Sequence, residues 1–66
     1  MLNNDERLIF VSQAIQKAVR KLMDAGHEVN RENTISTLDN LQEHEEDPYF
    51  SDIYRDAALM VRNGKI

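Results

Sequence analysis

Sixty-six residues and 7.7 kDa make a chain large enough for one domain and too small for two. Area scaling puts about 11,000 Å² of surface on the unfolded chain and about 4,300 Å² on the folded one, so an isolated monomer is marginal and a partner or a twin chain is expected. A composition with 41% hydrophobic and 30% charged residues, a net charge of −4 and no cysteine excludes a disordered tail, disulfide staples, a cysteine-based zinc site and thiol catalysis.

The first predicted element is a long helix over about residues 5–25. Asn3 and Glu6 have the spacing of a helix-opening box, with Asn replacing the usual Ser or Thr, and Asp5 and Glu6 put negative charge where the helix dipole favours it. Leu8, Val11, Ile15, Ala18 and Leu22 then follow in steps of three, four, three and four, which keeps one apolar stripe on one side. Ile9, Val19 and Met23 widen that stripe. Ser12, Gln13, Gln16, Lys17, Arg20, Lys21 and Asp24 occupy the other side. Gly26 stops the helix, since glycine takes the left-handed conformation after a helix end at least steric cost.

A second, shorter helix is predicted over 31–43, capped by Asn30, whose side-chain oxygen can accept from the backbone of Glu32 or Asn33. Ile35, Leu38 and Leu41 give it a narrow apolar ladder. Thr34, Ser36, Thr37, Asp39 and Asn40 are mediocre helix formers, so its stability has to come from docking, and it is expected to be the more mobile element. Glu43-His44-Glu45-Glu46-Asp47 reads as a solvated acidic connection. Asp47-Pro48 opens a third helix over 48–63, striped by Phe50, Ile53, Tyr54, Ala57, Ala58 and Val61 and closed by Gly64. No β-type alternation and no internal repeat occurs. The expected fold is an all-α chain of three helices forming a single domain over 1–66.

Catalysis needs a nucleophile with its base, paired carboxylates in a cleft, or a metal. Ser12, Ser36 and Ser51 have no recognisable nucleophile context, and neither a Gly-rich phosphate loop nor an HExxH pattern is present. The chain is therefore read as a non-enzyme with no catalytic, cofactor-binding or metal-binding residues. His44 beside Glu43 and Asp47 has metal-ligating chemistry, but a solvated acidic turn is the plainer reading. His27, just beyond Gly26, carries a group whose reference pKa of about 6.5 suits pH sensing, against the plainer role of a surface histidine near a helix end. The longest apolar run, Leu8 to Val11, is far short of the roughly 20 residues of a membrane span, and the acidic opening is unlike a signal peptide. A soluble, cytoplasmic chain is expected.

Lys17, Arg20 and Lys21, with Arg31 at the start of the second helix, give the outline of a helix-turn-helix with a basic face. The field opposes DNA. Residues 1–31 carry five Lys/Arg and four Asp/Glu, net +1, whereas residues 32–66 carry three and eight, net −5. DNA contact through Lys17, Arg20, Lys21 and Arg31 therefore stays an alternative. The first helix has the longest stripe, longer than two short helices are expected to cover. The expected remedy is a C₂ homodimer seated on Leu8, Val11, Ile15, Ala18 and Leu22, with the two first helices packed across the axis or each against the partner's third helix.

The stretch from Ala18 to Leu41 resembles the core of the YmgB/AriR family of enterobacterial biofilm-development proteins, also described as two-component-system connectors. The likeness rests on the apolar pairs before Gly26, the Val29-Asn30 entry and the Ile35, Leu38 and Leu41 ladder, and extends over roughly 10–62. It implies an all-helical homodimer that regulates biofilm formation and acid resistance, acting on a phosphorelay sensor kinase or through DNA. The chain departs from the family in its very short N-terminal extension and in the Glu43–Asp47 run with Pro48. Short fumarase-D-like proteins have a looser similarity and supply an enzymatic alternative, with His27 and His44 the groups to test. The expected function is a stress-response or biofilm regulator that works by protein contact, the acidic balance favouring a protein target over DNA, with a working surface of either exposed apolar residues beside the dimer seam or the acidic second half, which would steer it toward a basic partner patch.

Overall fold

The computed structural model describes residues 4–64, of which 50 of 61 lie in three helices: α1 (Asn4–Asp24), α2 (Arg31–His44) and α3 (Pro48–Arg62). No strand occurs among the described residues, so the fold is all-α. Asn3, and with it the proposed opening box, lies outside them.

Local chemistry sets the helix ends within about one residue of the expected positions. Asn30 is extended at φ −138°, and its side chain accepts from the Asn33 amide at 2.8 Å. Glu28 braces this cap, its carbonyl accepting from Asn33 Nδ2 at 2.8 Å and its carboxylate from Asn30 Nδ2 at 2.6 Å. Asp47 accepts from the Tyr49 amide at 2.9 Å, with Pro48 at the first helical position. At the end of α1, Gly26 takes φ +74°, which lets the His27 amide reach back to the Leu22 carbonyl at 2.9 Å and the Gly26 amide to Met23 at 3.1 Å. Another side chain in that left-handed position would be strained.

The acidic connection is shorter than the sequence suggests. Glu43 and His44 belong to α2, leaving Glu45, Glu46 and Asp47 as the link. The His44 Nδ1 lies 2.9 Å from the Asn40 carbonyl one turn back, so its ring folds along the last turn of α2.

That short link makes α2 and α3 an antiparallel hairpin, with Arg62 reaching Asp39 at 4.0 Å, and α1 packs across both. The core joins Val11, Ala14, Ile15 and Ala18 of α1 to Leu38 of α2 and to Ile53, Tyr54, Ala57, Ala58 and Val61 of α3. Four alanines among these allow close approach of the helix axes. From α2 only Leu38 is fully enclosed, with Ile35 and Leu41 packed at the margin, so the weakest helix former depends on one anchor. Thr34 is also buried, its hydroxyl donating to the Asn30 carbonyl at 2.7 Å.

Two expectations about the stripes need correcting. Phe50, expected to face inward, is 37% exposed, because α3 turns its Ile53–Ala57–Val61 side to the core and leaves its first turn at the rim. Ile9 and Met23, expected to widen the buried stripe, are exposed at 55% and 66%. The molecule measures 38 × 26 × 17 Å between Cα extremes, a plate too thin to enclose every side of its longest helix.

Candidate functional site

The sequence singled out one row of α1 as the contact surface, and the structure divides that row. Val11, Ile15, Ala18 and Leu22 are buried by the chain itself, at 8% exposure or less, and only Leu8 stands in solvent. As placed, Val11, Ile15 and Ala18 join the core between the helices and Leu22 is buried outside that cluster, so the row offers a second molecule little beyond the edges of Val11 and Ile15. The physical reason lies in the helical period. Successive residues sit about 100° apart, so a row shifted by one position has the same three-four spacing and faces a different direction. Ile9, Ser12, Gln16, Val19 and Met23 form that shifted row, and they are exposed apart from the half-buried Val19.

Beside the shifted row lie two apolar depressions. One, of about 520 Å³, runs along Ile15, Gln16, Val19, Arg20, Met23 and Asp24. Another, of about 300 Å³, adds Val29, Arg31, Thr34 and Val61 at the α2 and α3 side. Toward the start of α1 a third groove of about 410 Å³ is floored by Leu8, Val11, Leu59 and Met60. On its rim Arg7 pairs with Asp56, Nε donating to the carboxylate at 3.1 Å. That hydrogen bond, with the charge of Asp56, holds the Arg7 guanidinium above its ordinary pKa against the opposing effect of desolvation. The flank as a whole exposes Leu8, Ile9, Met23, Val29 and Leu59.

The opposite flank of α1 differs in chemistry. Phe10, Tyr49 and Phe50 meet edge to face with centroids 5.3–6.1 Å apart. Next to them Lys17 Nζ donates to the Tyr54 hydroxyl at 3.1 Å and lies 5.7 Å from the centre of that ring. The Tyr49 hydroxyl is buried with no hydrogen-bond partner among the described residues. Neither the aromatic triad nor the Lys17–Tyr54 link is visible in spacing along the chain, since the partners come from helices dozens of residues apart.

The four basic residues considered for DNA are not gathered on one face. Lys17 and Lys21 point to the aromatic flank, where Lys21 lines a depression with His27, Ser36, Thr37 and Asn40. Arg20 and Arg31 border the apolar depressions on the other side. His27 and His44 are both exposed and some distance apart in the fold, one beyond α1 and the other at the end of α2. Among the described residues no group of three His, Asp or Glu side chains is arranged to hold a metal ion. No described helix is long and apolar enough to cross a membrane.

No curated protein and no solved structure matches the chain. The family model for the biofilm development protein YmgB/AriR matches residues 8–63, a span that runs from the start of the exposed α1 flank to the end of α3. The chain therefore belongs to the YmgB/AriR family of biofilm development proteins.

Proposed function

We propose that the chain is a non-enzymatic regulator of biofilm formation and of the acid and stress response, and that it works in the cytoplasm as a homodimer contacting another protein, such as a phosphorelay sensor kinase. The single observation that carries this reading is the shifted row of α1 on a member of this family, with Ile9 at 55% and Met23 at 66% exposure. A stable interface buries about 800 Å² per partner, roughly one sixth of the 4787 Å² this chain exposes. The row and its flanking grooves supply apolar area of that kind.

The row also has an internal symmetry suited to a two-fold axis. Ile9 and Met23 stand seven residues either side of Gln16, so two antiparallel copies of α1 would set Ile9 of each against Met23 of the other, with the Gln16 pair on the axis. Because the chain has no cysteine, Gln16→Cys provides a direct test. Mild oxidation is expected to yield a covalent dimer of twice the 7.7 kDa chain mass, whereas Asn40→Cys, on the far side, stays monomeric on a denaturing gel. Equal cross-linking of both variants would remove the antiparallel arrangement. In the native host, Ile9→Glu with Met23→Glu is expected to change biofilm mass as deletion does.

DNA contact gains no support from the placement of its residues, since Lys17 and Lys21 face one way and Arg20 and Arg31 another. The acidic second half of the chain opposes it further.

A further inference from the structure

The lysine flank of α1 is outside the proposed dimer seam. Lys17 lies about 100° around the helix from Gln16 and about 160° from Val19, on the side turned away from the centre of the shifted row. Three features of this flank point to a ligand of one kind. Lys17 is not a freely swinging surface cation, because its ammonium is tied to the Tyr54 hydroxyl at 3.1 Å over the ring of a residue only 7% exposed. Neither Lys17 nor Lys21 has a carboxylate within 4.0 Å among the described residues, although the chain carries twelve acidic residues against eight basic ones. Beside Lys17 the exposed edge of Phe50 and the ring of Phe10 wall a depression of about 160 Å³ that Gln13 completes.

We infer that this flank is a docking site for a partner segment that carries an aromatic side chain and, one and two helical turns further on, carboxylates. The aromatic ring enters the depression between Phe10, Phe50 and Tyr54, where edge-on contacts are already the local packing mode. The first carboxylate meets Lys17. The second meets Lys21, one turn along α1, with Ser36, Thr37 and Asn40 offering hydrogen bonds around it. Holding Lys17 in place beforehand lowers the ordering cost of that contact. Charge complementarity selects an acidic partner, since neither Lys17 and Lys21 nor Arg20 and Arg31 on the other flank has a carboxylate within 4.0 Å among the described residues, and the aromatic depression beside Lys17 directs that partner to the lysine flank. This inference rests on the reading that the chain acts by protein contact, and it is independent of whether the chain dimerises.

The test is fluorescence anisotropy with a labelled synthetic helical peptide bearing one Trp followed by Glu one and two turns later. The peptide is expected to bind the wild-type chain and to dissociate as salt rises from about 0.01 to about 1 M, which cuts the screening length from about 30 to about 3 Å. Lys17→Glu is expected to weaken binding about tenfold. Lys17→Met, which keeps the stem over Tyr54 and removes the charge, should weaken it less. Circular dichroism verifies that each variant is folded, and sedimentation is expected to show the assembly mass unchanged by both. Failure of the peptide to bind, equal binding of a peptide with Lys in place of Glu, or indifference to Lys17→Glu overturns the proposal. Displacement of the peptide by duplex DNA at equal concentration also overturns it, in favour of a nucleic-acid site. A monomeric chain that still binds the peptide would refute the dimer and leave this inference standing.

Discussion

Ile9, Val19 and Met23 on one flank of α1 and Lys17 and Lys21 on the other are carried by the same helix, yet they present solvent with opposite problems. The first flank leaves large apolar groups in water, a cost that grows with area and is relieved by any surface that covers it. The second exposes charge, which water tolerates well, and gains from contact only when an opposite charge arrives in the right place. An interaction on the apolar flank should therefore be insensitive to salt and tolerant of register, whereas one on the lysine flank should be steeply salt-dependent and specific. A helix long relative to its domain has more faces than its own chain can use.

Ile15 lies beneath the apolar flank and within the core, so Ile15→Asp buries an unpaired carboxylate at a cost of several kcal/mol. A domain of this size has about 3–5 kcal/mol to lose, and the helical circular dichroism signal is expected to collapse at room temperature. A native spectrum with an unchanged melting curve would show that Ile15 is not where the fold puts it. Next in size, Ile9→Glu with Met23→Glu is expected to halve the sedimenting mass while keeping the helical signal, because both side chains lie outside the core. Loss of folding would mean that the row is structural.

Smaller effects sharpen the picture of the other flank and of the acidic link. The buried Tyr49 hydroxyl has no partner among the described residues, and an unsatisfied buried polar group costs about 1–3 kcal/mol. Tyr49→Phe is therefore expected to leave the melting temperature unchanged or raise it. A marked fall would reveal a hydrogen bond that the described residues do not supply. The smallest effect is expected from Glu45→Lys with Glu46→Lys. Glu46 is exposed, and the Glu45 carboxylate makes only a 3.1 Å contact to the Asp47 amide in the link, so the unfolding free energy should shift by no more than about 0.5 kcal/mol per site. Strong destabilisation would show that the acidic link has a structural partner.

The helices and their ends were legible because their causes are local: Asn30, Gly26, Asp47, Pro48 and Gly64 act through bonds spanning a few residues. The apolar side of α1 was legible as well, since Ser12 and Gln16 interrupt the neighbouring row and Val11, Ile15, Ala18 and Leu22 are the buried ones. That α2 and α3 cover this row except at Leu8, and leave Ile9 and Met23 bare, was not, because it depends on how α3 crosses α1. The same crossing makes the Arg7–Asp56 pair and the Lys17–Tyr54 link, separated by 49 and 37 residues. Periodicity says that a stripe exists and how wide it is. It does not say how much of the stripe the rest of the chain covers, and in this protein that remainder is where function is proposed.

Sedimentation velocity on the unmodified chain at micromolar concentration, in low and in high salt, tests the central claim most directly. A particle of twice the 7.7 kDa chain mass in both buffers is the predicted result. A single folded species at 7.7 kDa would contradict it, because Ile9 and Met23 would then rest in water without a cover.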